Sequence, residues 1–299
     1  MVYLNWLGSN IFTVWLKYLG QCLKTICILV TERPEAIFVM SPPVFAVFAV
    51  FLYARCTRTP YIIDAHTAAF LHPRWKHWQP FQHFLARHAA TTIVTNDYLA
   101  THVRSGGGHV TIVRDVPVVY RESEEFSVSD AFSVAVICSF NYDEPIDEIF
   151  KAASQLPDVQ FYMTGDPKFL DQKLARNIPS NITLTGFLPD SSYGCLLKRS
   201  HVILTLTTRD HTMLRGAYES VYQGTPIIIS DWKILKDTFE MGVIHVDNSS
   251  ESIVHAVEEM RRNYKKYKNE VAIMRERRYE QWEKSKGKIV ETVIENALS

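Results

Sequence analysis

Short β-branched runs alternate with helical text along nearly the whole chain. Residues 36–40, 61–63, 91–95 and 110–113 (AIFVM, YII, TTIVT and VTIV) read as strands in the first half. Ser41, Asp64, Asn96 and Asp115 stand at or just beyond their carboxyl ends. Residues 133–138, 159–163, 181–185, 202–206, 227–229 and 243–246 continue the pattern. Strands that are apolar throughout are covered on both faces, which places them in parallel sheets flanked by helices. The alternation therefore predicts an α/β chain of two Rossmann-like, doubly wound parallel-sheet domains. The first domain begins in helical text, so either its start is truncated or its first strand is absent. In such sheets ligands gather at the carboxyl ends of the strands, and the polar residues there become the candidates for chemistry.

A chain of 299 residues has room for about two domains. The polar, acidic stretch 120–131, YRESEEFSVSDA, reads as the link between them. Lys plus Arg and Asp plus Glu both number 32, so no net positive field favours nucleic acid. The five cysteines (Cys22, Cys27, Cys56, Cys138, Cys195) show no metal spacing. They read as reduced, buried thiols of a cytoplasmic protein. The longest apolar run, residues 44–54, falls short of the roughly 20 residues a spanning helix needs. Residues 3–30 carry apolar residues at helical spacing with only Lys17 and Lys24 among them. That favours a helix packed on a sheet over a basic interfacial anchor, while leaving room for peripheral contact with a membrane surface.

The stretch 202–232, VILTLTTRDHTMLRGAYESVYQGTPIIISDW, is the most informative. It reads as strand, polar loop, short helix and strand, the helix starting near residues 214–216 and ending at Gly224, with Pro226 beyond. The first amides of a helix lack intrahelical partners. With Arg215, Gly216 and Ala217 at its start, this helix suits a pyrophosphate. Glu219 lies one turn on, on the face of Arg215. A carboxylate there either accepts two hydrogen bonds from a ribose diol or forms a surface pair with Arg215. Residues at the remaining strand ends complete the expected cleft: Thr67, Ser139, Asp143, Glu144, Thr164, Gly165, Asp166 and Thr207. No DxD-type metal motif is present, and no metal or cofactor is expected.

Two Rossmann-like halves, a polar hinge and a helical tail resemble a GT-B glycosyltransferase. The residues 214–220 (LRGAYES) through Gly224-Thr225-Pro226 resemble a segment of glycosyltransferase family four, the group-1 glycosyl transferases. There G-x-x-x-x-E-A-x-x-x-G-x-P is common. Gly186-Phe187 is similar to the loop beside the nucleotide base. The resemblance implies an acceptor-side domain at 1–122, a linker at 123–131 and a nucleotide-sugar domain at 132–265. A tail at 266–299 is then expected to pack back on the first domain. It implies transfer of a hexose from a nucleotide diphosphate sugar to a hydroxyl of a glycan, lipid-linked sugar or polysaccharide precursor, with retention. Glu219 would bind the donor ribose, and Arg215 and Gly216 the diphosphate. Asp64 and His66 lie where such enzymes meet the donor sugar and acceptor, and both count as catalytic candidates.

The sequence departs from that pattern in two places that bear on chemistry. His211 stands where the family often has its first glutamate, with Asp210 beside it as the substitute catalytic carboxylate. The usual Arg and Lys after the first strand of the second domain are replaced by Ser139, Asn141, Asp143 and Glu144. Two further readings stay open. One is a nucleotide-sugar epimerase using Asp64, His66, Asp115 and Asp143 as acid and base. The other is a non-catalytic nucleotide-sugar-binding subunit.

Overall fold

The computed structural model describes residues 14–120 and 126–298. The helical text expected at 3–13 and the part of the link at 121–125 lie outside these residues. The chain divides into two compact units, Met1–Val116 with Trp282–Ser299, and Pro117–Gln281.

The first unit contains α1 (Val14–Glu32), β1 (Ile37–Ser41), α2 (Val44–Thr57), β2 (Tyr61–Ala65), α3 (Thr67–Leu71), α4 (Pro73–Lys76), α5 (Gln79–His88), β3 (Thr91–Val94), α6 (Asp97–Ser105) and β4 (Val110–Ile112). Its strands pair in parallel in the order β1-β2-β3-β4. That is sequence order, with no reversal among the described residues. The helix α1 packs on α2 rather than on a sheet: Tyr18 meets Phe45 at 5.0 Å, and the Cys22 thiol donates to the Phe45 carbonyl. Its outer face leaves Leu16, Leu19 and Leu23 exposed. Helical text over 74–89 predicts one helix, but the chain breaks it between α4 and α5. Pro80 sits in the first turn of α5, and a proline deeper in a helix would lose a hydrogen bond and strike the carbonyl four residues back.

The second unit contains β5 (Ser133–Val136), α7 (Ile146–Gln155), β6 (Gln160–Thr164), a 3-10 turn at Pro167–Phe169, α8 (Gln172–Ala175), β7 (Ile182–Gly186), α9 (Asp190–Arg199), β8 (Val202–Thr205), α10 (Arg215–Gln223), β9 (Ile227–Ser230), α11 (Lys233–Lys236), β10 (Val243–Val246) and α12 (Ser250–Arg262). The long α13 (Tyr264–Leu298) begins here, and its part from Trp282 on groups with the first unit. The six strands are all parallel, in the order β10-β9-β8-β5-β6-β7. The chain winds outward from β5 to β7, then returns to β8 on the other side of β5. This is the doubly wound arrangement, and its switch point opens beside the carboxyl end of β5. Every residue of β5, β8 and β9 is buried, which explains their unbroken apolar or small-residue text.

The expectation that all five cysteines are buried changes with the structure. Cys27 and Cys56 are exposed, Cys22 is half-buried, and only Cys138 and Cys195 are buried. The apolar runs around Cys27 and Cys56 are helices that turn some of their residues outward. Among the described residues, no helix is long and apolar enough to cross a membrane.

Candidate donor site in the second unit

The loops after β5, β6 and β7 and the start of α10 enclose a pocket of about 640 Å³, within the range of small-molecule sites. The loop after β5 contributes Ser139, Phe140 and Asn141, and the loop after β6 contributes Thr164, Gly165, Asp166 and Phe169. The loop after β7 gives Gly186, Phe187 and Asp190, and α10 gives Arg215 and Glu219. Gly186 takes φ 68 at the strand end, a left-handed conformation that favours glycine. The Phe187 and Phe169 rings stand exposed at 89% and 62%, two aromatic faces at the pocket's edge.

Glu219 carries the site. Only 5% of it is exposed, and a carboxylate so buried needs partners. Tyr120 donates its hydroxyl to Oε1 at 3.0 Å, Arg215 donates Nε to the same oxygen at 2.7 Å, and Tyr193 donates to Oε2 at 2.7 Å. Sequence spacing foresees the Arg215 pair, although it is not a surface pair at the Glu219 end. The two tyrosines, 99 and 26 residues away in sequence, are not foreseen. The only hint of them is Gly194 inside α9, since a glycine in a helix interior costs about 1 kcal/mol and calls for a packing reason. Its reason is Tyr120: a Cβ on Gly194 would lie 2.1 Å from the Tyr120 Cβ. Burial, and then the Glu219 carboxylate, raise the pKa of both phenols above the ordinary tyrosine value. Both stay protonated donors. The same carboxylate holds Arg215 above its ordinary value.

The helix lies where the sequence places it, but Gly216 and Ala217 are not among the residues lining the pocket. The Leu214 N-cap makes no side-chain cap bond, and the Gly224 C-cap is left-handed at φ 71. Gly216 is buried, and a Cβ there would lie 2.8 Å from Ile137 Cγ2. Close packing of α10 on the end of β5 therefore requires this glycine. Ala217 is fully buried.

Glu144 fills the place of the missing basic pair after β5. Phe140 adopts φ 58, which turns the amides on either side toward one point. Glu144 accepts the Ser139 amide at 3.0–3.1 Å, the Asn141 amide at 2.9 Å and the Ser139 hydroxyl at 3.2 Å. Such converging amides form an anion nest, and here the chain supplies its own anion. Burial raises the Glu144 pKa, and the amides only partly offset that. Asp143 turns instead to Thr207, whose hydroxyl donates to it at 3.2 Å. The Asp210 carboxylate accepts the His211 amide at 2.6 Å, and His211 has φ 56. Asp143, Glu144, Thr207 and Asp210 are not among the residues lining the pocket.

The other candidates belong to the first unit. Asp64 and His66 stand at the carboxyl end of β2, with Nε2 and Oδ2 3.6 Å apart. Asp64 raises the His66 pKa. Asn96 is buried and caps α6, accepting the Leu99 amide at 2.9 Å, a structural duty that accounts for it. Thr67 opens α3, and Asp115 accepts the Val116 amide at 2.7 Å. Among the described residues, no group of three or more His, Cys, Asp or Glu side chains is arranged to hold a metal.

Comparison with known proteins agrees with this architecture. The family described as Glycosyl transferase 4-like domain matches residues 3–139, and that described as Glycosyl transferases group 1 matches residues 122–277. No curated protein matches the sequence. HepE of Anabaena, solved with UDP and glucose, is similar with a TM-score of 0.69 at 14% identity, over 97% of this chain and 84% of that one. Sucrose-phosphate synthase of Thermosynechococcus elongatus gives 0.70 at 13%, over 97% and 82%. A glycosyltransferase of Rickettsia africae gives 0.67 at 14%, over 98% and 84%. With two Rossmann-like units of the GT-B kind and a group-1 match over residues 122–277, which hold every pocket residue but Tyr120, this chain belongs to the glycosyl transferases group 1 family and is a glycosyltransferase.

Proposed function

We propose that the second unit binds a nucleoside diphosphate hexose in the pocket and that the hexose passes, with retention, to an acceptor hydroxyl. The acceptor is a glycan, a lipid-linked sugar or a polysaccharide precursor. The observation that carries this reading is Glu219, a buried carboxylate one helical turn inside an uncapped helix start that also bears Arg215. That arrangement suits a ribose followed by a diphosphate. The solved HepE with UDP-glucose, similar in fold at a TM-score of 0.65, supports the donor class.

In this reading Glu219 holds the ribose. The first α10 amides and Arg215 stabilise the leaving diphosphate as charge builds on it, with no metal required. The base lies toward Gly186, Phe187 and the exposed Phe169 ring. The transition state is oxocarbenium-like. Asp64 and His66 serve the acceptor side, His66 as a hydrogen-bond partner or base oriented by Asp64, and Asp210 is the remaining carboxylate candidate. The unpaired cysteines favour the reducing cytoplasm.

Incubating the protein with UDP-, GDP- and ADP-hexoses, with and without sugar and polyprenyl-phosphate-sugar acceptors, tests the proposal. Transfer product with the α-anomeric configuration of the donor is expected. Epimerised donor without acceptor would replace this reading with an epimerase. Tight binding without turnover would replace it with a binding subunit.

A further inference from the structure

Resting on that donor reading, we infer that Tyr193 is a ribose-recognition residue: its phenolic oxygen and Oε2 of Glu219 together receive the two vicinal hydroxyls of the donor ribose. An ionised carboxylate offers about four lone-pair positions. In Glu219 three are filled. Oε1 takes both Tyr120 and Arg215, and Oε2 takes Tyr193. One position remains, on Oε2. Glu219 in this setting therefore receives one ribose hydroxyl and has no place for the second.

The second acceptor is beside it. A phenol that donates its proton keeps lone pairs for accepting. The Tyr193 oxygen lies 2.7 Å from Oε2, one hydrogen-bond length, which is about the separation of the two oxygens in a cis-diol. Both residues line the pocket. The pair is also fixed. The Tyr120 and Tyr193 rings meet edge to face at 5.5 Å and 84°, and Tyr120 is seated where Gly194 has no side chain. Tyr120 is a positioning residue: it anchors Oε1 and so holds the carboxylate against rotation. Pre-organised acceptors of this kind reduce the ordering cost of binding.

The test compares each ribonucleoside diphosphate (UDP, GDP, CDP and ADP) with its 2′-deoxy and 3′-deoxy forms by calorimetry. For the diphosphate that binds, loss of either hydroxyl should weaken the native protein roughly tenfold. Tyr193→Phe should become indifferent to one deoxy position and keep the preference at the other. Gly194→Ala, which displaces Tyr120 while leaving Tyr193 and Glu219 in the chain, should blunt both preferences. A Tyr193→Phe protein with native melting temperature and both preferences intact would overturn the inference. In that case Glu219→Ala separates the causes: if it abolishes both preferences the donor site stands and only the role of Tyr193 falls, and if it too leaves them intact the site reading falls with it. Failure of all four diphosphates to bind overturns both.

Discussion

Glu144 reaches back five residues to take the Ser139 amide on both carboxylate oxygens, at 3.1 and 3.0 Å. The bond closes the loop after β5 on itself. It leaves Arg215 as the one basic side chain lining the pocket among the described residues. Burial, the largest effect, raises the Glu144 pKa, with Asp143 adding to it. A carboxyl whose folded pKa lies above its unfolded value stabilises the fold fully at low pH, and that contribution is lost as the pH rises through the folded pKa. Stability of the native protein relative to Glu144→Gln should therefore fall as the pH climbs above the ordinary glutamate pKa of about 4.3. Urea denaturation across that range measures it, and a difference that grows in the opposite direction would show that the amide bonds outweigh burial.

Gly216→Ala should destabilise the second unit. The new methyl would sit 2.8 Å from Ile137 Cγ2 and 3.0 Å from its Cβ, so α10 or the end of β5 must shift. Overpacking of this kind costs about 1–3 kcal/mol, against a helix-propensity gain of at most about 1 kcal/mol. Thermal unfolding reads the net loss, and an unchanged or raised melting temperature would mean the contact yields freely.

The Asp64–His66 pair makes a prediction in the first unit. Asp64, 3.6 Å away, raises the His66 pKa against the opposing effect of burial, so the protonated imidazole is favoured in the fold. The stabilisation exists below the ordinary histidine pKa and disappears as the pH passes the raised value. In Asp64→Asn the His66 ring signals should titrate at lower pH than in the native protein, followed by proton–carbon NMR. A midpoint that stays in place would show that the two side chains do not interact in solution.

Much of the architecture is legible in the chain because short buried strands leave a plain signal. Ile227, Ile228 and Ile229 have few alternatives to a covered parallel strand, and Gly224 followed by Pro226 marks the end of α10 where the backbone turns left-handed. Boundaries set by packing are less visible. The break before α5 follows from Pro80, yet apolar residues on both sides of it keep helical spacing. The site was legible where its partners are local, as with Arg215 and Glu219 one turn apart. Tyr120 and Tyr193 were not, because nothing in a strand-and-helix pattern says which distant phenol meets a buried carboxylate. By residue type alone, Glu144 is a charge that would repel a diphosphate. The left-handed Phe140 gives it amide partners that the residue types alone do not announce.

The central claim is that Glu219 holds the ribose of a nucleoside diphosphate. Calorimetry of the tightest-binding diphosphate against the native protein, Glu219→Gln and Glu219→Ala tests it most directly. Loss of a charged hydrogen bond predicts that Glu219→Ala binds more weakly by about 1–3 kcal/mol, with Glu219→Gln between it and the native protein. Native affinity in a folded Glu219→Ala protein would contradict the account.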